Sequence, residues 1–228
     1  MSATGLAASL TRLFQPLSNK PAGEMGEYAA PETLAEAMTS AGHHTAPGVN
    51  RRHMLIGLSV FALAATTAPM REAAAARHSI RLPRTRGLWL YNKNTREHVR
   101  LAHVRNGFYD RNALRRLDWH LRDHHVQRYY QMDRKLFDVL FVVQQRFGAD
   151  RPLLVTSGYR TRSTNERLAE RIPGVATNSL HISGKAIDFQ IPERSPGSVC
   201  NYLNQLHIGG VGRYATHVHF DVGPVRHW

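Results

Sequence analysis

Two short segments, Ala186-Ile187-Asp188-Phe189-Gln190-Ile191 and His217-Val218-His219-Phe220-Asp221-Val222, alternate apolar and polar residues without a break. A period of two is the mark of a half-buried strand. Side chains alternate between the faces of a strand, so Ile187, Phe189 and Ile191 point to a core and Asp188 points away. Val218, Phe220 and Val222 share one face of the second segment, and His217, His219 and Asp221 share the other. If the two strands pair, their polar faces coincide. His181 lies seven residues ahead of Asp188, with Gly184 between them. A glycine there lets the backbone bend and brings imidazole and carboxylate to one point. Imidazole nitrogen and carboxylate oxygen are zinc donors, and a catalytic zinc site leaves a position open for water.

The order of these residues is also a pattern. Ser179-x-His181-x-x-Gly184-x-Ala186-x-Asp188, followed by Val218-His219-x-Asp221, resembles the zinc D-Ala-D-Ala peptidase family and, within it, the YcbK-type murein endopeptidases. Ser157-Gly158-Tyr159-Arg160, the region of Asn165, Gly209-Gly210-Val211-Gly212 and the ending Gly223-Pro224-Val225-Arg226-His227-Trp228 extend the resemblance over roughly residues 84–228. It implies an α+β fold of the hedgehog/D,D-peptidase type, with a central, mainly antiparallel sheet and flanking helices. It implies Zn2+ on His181, Asp188 and His219. The implied reaction is cleavage of stem-peptide or crosslink bonds next to D-amino acids in peptidoglycan. Two other readings stay open: a D-Ala-D-Ala carboxypeptidase, and a zinc-containing wall-binding module without turnover.

Hydrolysis on zinc needs a proton carrier and a positive partner for the oxyanion. Relatives in the family often carry an acidic residue or a histidine just ahead of the last ligand, where this chain has Thr216-His217. An imidazole transfers protons near neutral pH, so His217 is either that base or a competing ligand. Arg160 is the candidate for the oxyanion or for a substrate carboxylate, which a guanidinium holds with two hydrogen bonds. Ser179 is expected to orient His181 from behind, and Asp221 to orient one of the histidines or to be an ordinary exposed residue.

A chain of 228 residues suits one domain with appendages. A single cysteine, Cys200, excludes an internal disulfide and a cysteine-rich zinc site. Its setting in Ser198-Val199-Cys200-Asn201, on a helix expected to begin near Ser195–Ser198, suits a small buried residue. Residues 1–50 show no sustained apolar period and read as a long, structureless n-region or a mis-assigned start, with Met38 as an alternative start. Arg51-Arg52 opens an apolar run of about fifteen residues, short of the roughly 20 that span a bilayer. With Ala74-Ala75-Ala76 behind it, residues 51–76 read as a twin-arginine export signal. The membrane is then met only in transit, and residues 77–228 form the periplasmic domain, expected to be a monomer. Residues 1–76 carry five Lys/Arg and five Asp/Glu, so the whole net charge of +13 belongs to that domain. No nucleic-acid motif accompanies the scattered arginines, and an anionic envelope polymer is the better match.

Within the domain, Leu88–Tyr91 and Glu97–Val104 predict a hairpin, and Asn106-Gly107 a further turn. Asp110 and Asp133 predict helix caps. The first helix shows Leu114, Leu117 and Leu121 on one face; the second shows Leu136, Phe137, Leu140, Phe141, Gln144 and Phe147. Pro152–Ser157 reads as a buried strand, with Gly158 allowing a tight turn that presents Tyr159 and Arg160. Ser163–Arg171 reads as a polar helix broken by Pro173-Gly174. His124-His125 lacks a partner carboxylate at ligand spacing beyond Asp123 and is read as structural.

Overall fold

The computed structural model describes residues 30–39 and 80–228. Eight strands form one sheet: β1 (Arg86–Asn92), β2 (Glu97–Arg105), β3 (Phe108–Tyr109), β4 (Leu153–Ser157), β5 (Ala186–Gln190), β6 (Gly210–Arg213), β7 (Val218–Asp221) and β8 (Arg226–His227). Their spatial order is β3-β2-β1-β4-β5-β7-β6-β8. The pairs β1–β4 and β6–β8 are parallel and the rest antiparallel. Helices α1 (Leu34–Thr39), α2 (Arg111–His120), α3 (Arg134–Phe147), α4 (Arg162–Arg171) and α5 (Pro196–Gln205) flank it, and a 310 turn spans Leu180–Ser183. This is the expected α+β architecture.

The helices begin where their caps direct. Asp110 accepts from the backbone N–H groups of Asn112 and Ala113, and Asp133 accepts from Lys135 N–H. Each removes an orphan donor from a helix N-terminus. Ser195 caps α5, on which Cys200 is buried. The long helix α3 lays Leu136, Phe137, Leu140 and Val143 against Leu88, Leu90, Val155, Ile187 and Phe189, all of them buried. Each such side chain contributes about 1.5–3 kcal/mol on leaving water. Gln144 pairs with β1 one residue before β4 joins it: its amide accepts from Trp89 N–H at 3.0 Å and donates to Trp89 C=O at 2.8 Å.

Some features depart from the expectations. Leu154 is only half-buried, because it lies on the face of β4 opposite Leu153 and Val155. Gly158 has no positive φ. Its side-chain-free position is demanded by space, since a Cβ there would lie 2.4 Å from the Leu121 carbonyl oxygen. The expectation that residues 1–50 are structureless fails over 30–39. Thr33 and Glu36 form a reciprocal capping box, with Glu36 N–H on Thr33 Oγ1 and Thr33 N–H on Glu36 Oε2, both at 3.2 Å. Backbone bonds tie Leu34 to Ile80, Leu82 to Glu32 and Ala30 to Gly107. Leu34 and Ala37 are buried in the main core. The Pro31 carbonyl accepts from the buried Arg86, which also pairs with Asp138 at 2.9 Å. The remainder of that stretch and residues 51–76, read above as an export signal, lie outside the described residues.

Candidate metal centre

The site is built by register. Asp188 on β5 stands directly opposite His219 on β7, with Ser157 opposite Asp188 on one side and Gly212 opposite His219 on the other. Cross-strand neighbours in an antiparallel pair have Cβ atoms about 4.5–5.5 Å apart, so carboxylate and imidazole meet. His181 arrives from the 310 turn. Ser179 caps that turn, its Oγ accepting from His181 N–H at 3.4 Å. Gly184 ends it in the left-handed region at φ +66°, and a Cβ there would come within 2.7 Å of the Gln131 carbonyl. Only glycine lets the chain turn back so tightly into β5. Asn165 steadies the approach: it is fully buried and donates to the carbonyls of Ala176 and Thr177 at 2.9 and 3.2 Å.

The three side chains converge. His181 Nε2 lies 3.2 Å from Asp188 Oδ1, His219 Nδ1 lies 2.8 Å from the same oxygen, and the two nitrogens are 3.3 Å apart. The far side of each ring sets its tautomer. His181 Nδ1–H donates to the Gly158 carbonyl at 2.6 Å, which leaves Nε2 a bare lone pair. His219 Nε2–H donates to Asp221 Oδ2 at 3.1 Å, which turns Nδ1 toward the cluster. Asp221 is held in turn by both Arg226 Nη atoms and by the N–H groups of Gly210 and Gly223. A carboxylate behind a ligand imidazole fixes its orientation and raises its basicity.

Three such donors at these separations need a positive charge among them, either a proton on His219 Nδ1, as its 2.8 Å contact with Asp188 allows, or a metal ion. Tetrahedral coordination at about 2.0–2.1 Å sets donor atoms roughly 3.3 Å apart, close to the distances here. Among the described residues this is the one group of three His, Cys, Asp or Glu whose donor atoms gather within 4.8 Å. The electrostatics agree. Burial opposes the charge on Asp188, but His181, His219 and Arg160 hold its carboxyl well below the usual range. Burial keeps His181 neutral by lowering its pKa. His219 is buried too, yet its hydrogen bonds to Asp188 and Asp221 raise its pKa.

The remaining expected residues are near but differently engaged. Arg160 Nη2 reaches Asp188 Oδ2 at 2.5 Å, and its Nε donates to Ser157 Oγ at 2.7 Å. His217 precedes β7 and stays outside the three-donor group. Its ring stacks on Tyr214 at 4.5 Å with 5° between planes, and Nδ1 lies 3.2 Å from Thr216 Oγ1. Burial, with Arg160 and His219 nearby, lowers its pKa, so the ring is neutral and able to take a proton. His124 and His125 face each other at 4.0 Å without a third donor.

Two contributors escaped the sequence reading. Asp123 Oδ2 accepts from both the N–H and the Oγ1–H of Thr161, at 2.9 and 2.8 Å. With Tyr159 N–H on the Leu121 carbonyl, this fixes the loop that carries Arg160. Trp228 lies 5.3 Å from the His219 ring and donates to Tyr214 Oη at 3.2 Å. Gly212 makes room for its indole. The Arg122-Asp123 pair and the terminal tryptophan were the available signals, but nothing in their spacing says what they touch.

A mixed sheet that gathers His, Asp and His at one point, with their outer nitrogens already engaged, is the frame of a metallopeptidase of the D,D-peptidase type. The chain belongs to the family described as Peptidoglycan L,D-endopeptidase MepK, whose model matches residues 81–228. Peptidoglycan L,D-endopeptidase MepK of Escherichia coli (strain K12) is 34% identical over 179 residues, covering 78% of this chain and 96% of that protein. The Shigella flexneri protein of the same name matches equally. A probable peptidoglycan L,D-endopeptidase MepK of Haemophilus influenzae is 36% identical over 149 residues, 64% of this chain and 80% of its own length.

Proposed function

We propose that the chain is an exported, zinc-dependent murein endopeptidase that cuts L,D-peptide bonds in peptidoglycan, as its relatives are named for doing, and that the bonds it opens lie in the crosslinks. The convergence of His181 Nε2, Asp188 Oδ1 and His219 Nδ1, with both outer imidazole protons committed elsewhere, carries this reading. Those three atoms would hold the ion. When bound, zinc supplies Lewis acidity toward a water and the scissile carbonyl. Ser179 and the Gly158 carbonyl orient His181, and Asp221 orients His219. Arg160 holds Asp188 in place, and its remaining N–H groups face the charge that develops on the carbonyl oxygen. His217, neutral and half-buried, takes the water proton and returns it to the leaving amine.

Export fits the 51–76 segment, and no helix among the described residues is long and apolar enough to cross a membrane. The periplasm is the compartment where such a peptidase meets its polymer, as a monomer with no nucleic-acid partner.

The test is to incubate the zinc-loaded full chain with purified murein and separate the muropeptides. Loss of crosslinked dimers is expected. Trimming of terminal residues alone would mean a carboxypeptidase, and retention on murein without products would mean a binding module. His181→Ala should bind less than a tenth of an equivalent of zinc and abolish turnover; full turnover in that variant would overturn the ligand assignment.

A further inference from the structure

Exposed apolar side chains are concentrated at the end of α2 and on the loop that follows it. Of nine large apolar residues that stand exposed among the described residues, four (Trp119, Val126, Tyr129 and Tyr130) fall on the stretch leaving α2. Isolated exposed apolar residues need no explanation, but clustered ones mark binding surfaces.

This cluster is a built surface. Tyr130 stacks on Tyr159 with ring centroids 5.3 Å apart and 17° between planes. Trp119 meets Tyr129 edge-on at 5.8 Å, and Arg122 lies 4.4 Å from the indole centroid. The loop beneath is pinned: Asp123 and Arg128 exchange backbone hydrogen bonds at 2.8 and 3.3 Å. Gln127 donates to the His124 carbonyl and accepts from Arg122 Nε, both at 2.8 Å. Rings held this way lose little freedom on binding, which favours affinity.

The ledge is also continuous with the cleft. Tyr159 immediately precedes Arg160, which grips Asp188. Tyr130 covers Gly184, where a Cβ would come within 2.9 Å of its ring. The Tyr130–Tyr159 pair therefore starts at the turn that carries His181, and the adjacent residue Tyr129 links it through the chain to Trp119.

We infer that this ledge holds sugar rings of the glycan strand from which the cleaved stem peptide hangs; the inference rests on the peptidase reading above. A pyranose ring has a face of C–H bonds that stacks on an aromatic ring, and an edge of hydroxyl and amide groups. His125 and Arg128 stand exposed at the border of the ledge to meet that edge. Three or four extended residues span roughly 10–14 Å, so a sugar tethered to a peptide in the cleft reaches a surface that begins there.

The probe is glycan strands stripped of their peptides by an amidase, titrated calorimetrically into the full chain. Measurable binding is expected, weakened about tenfold by Trp119→Ala and by Tyr129→Ala. Tyr129→Phe keeps the ring and should bind as the parent does, which separates loss of stacking from loss of fold. Ile172→Ala, at an exposed apolar residue elsewhere, should change nothing. Failure of stripped strands to bind a chain that still cleaves murein overturns the ledge and leaves the peptidase standing. Binding to stripped strands by a chain that cleaves no murein supports the ledge and removes the peptidase. Tyr129-dependent binding to phosphatidylglycerol vesicles in place of strands, or a dimer that Tyr129→Ala dissolves, would also overturn the inference.

Discussion

Asp221→Asn is the sharpest probe of how the candidate metal centre is supported. The carboxylate touches no donor atom of the cluster except through His219, whose Nε2–H it accepts at 3.1 Å. Hydrogen bonds to a charged group contribute about 1.5–3 kcal/mol and neutral ones about 0.5–1.5 kcal/mol. The substitution therefore removes about 1–1.5 kcal/mol of support for the imidazole in its ligating orientation. It also sets an amide against the guanidinium of Arg226, which now lies 2.6 Å from Asp221 Oδ2. Arg226 can swing into solvent, since 42% of its side-chain surface is already exposed, so the fold should survive. Loss of such an outer partner typically weakens metal binding 10–100-fold, and the figures here favour the lower end, about tenfold. Competition against a chelator of known affinity measures the zinc Kd, and thermal melting of the metal-free protein supplies the control. An unchanged Kd together with a large drop in melting temperature would refute the reasoning, because Asp221 would then be only a structural anchor for β8.

Asp118 offers a pH test. Burial pushes its carboxyl up to about 6, against the opposing hydrogen bond from Met132 N–H. The native state then holds a proton that the unfolded chain releases near pH 4, so stability falls as pH rises from about 4 to 6 and levels above. Asp118→Asn should flatten that slope, with a gap to the parent growing by up to about 3 kcal/mol across the window in denaturant titrations. Gly158→Ala forces a methyl to within 2.4 Å of the Leu121 carbonyl. It should cost about 1–3 kcal/mol and also weaken zinc binding, because the Gly158 carbonyl holds His181. Removing residues 1–39 uncovers the face of α3 under Leu34 and Ala37 and strips Arg86 of the Pro31 carbonyl. A loss of about 2–4 kcal/mol is expected by urea unfolding, and an unchanged midpoint would mean that the segment does not dock in solution.

The alternation in residues 186–191 and 217–222 made the polar face legible, because a period of two fixes which side chains share it, while the register that joins them is set by the rest of the sheet. The sheet adopts the register that sets Asp188 opposite His219. The helix caps at Asp110 and Asp133 were equally legible, since each satisfies donors in its own first turn. What stayed hidden depends on distant partners. Strands β3 and β8 have two residues each, too few for any period, and exist because Tyr109 and Arg226 find neighbours in the sheet. Helix α1 carried a visible Thr33-x-x-Glu36 signal, but six residues form a helix only when a surface such as α3 receives them. Asp123 sits in a charged loop whose purpose is set by Thr161, 38 residues away.

Arg160 has a further effect on the carboxylate it grips. With Oδ2 of Asp188 engaged by the guanidinium, that residue can give an ion only its other oxygen. Under the proposed assignment, the described residues would then offer an ion three donor atoms, leaving its other directions to whatever enters the cleft. An arginine placed this way would keep such a centre unsaturated, as a hydrolytic site needs and a closed structural one does not.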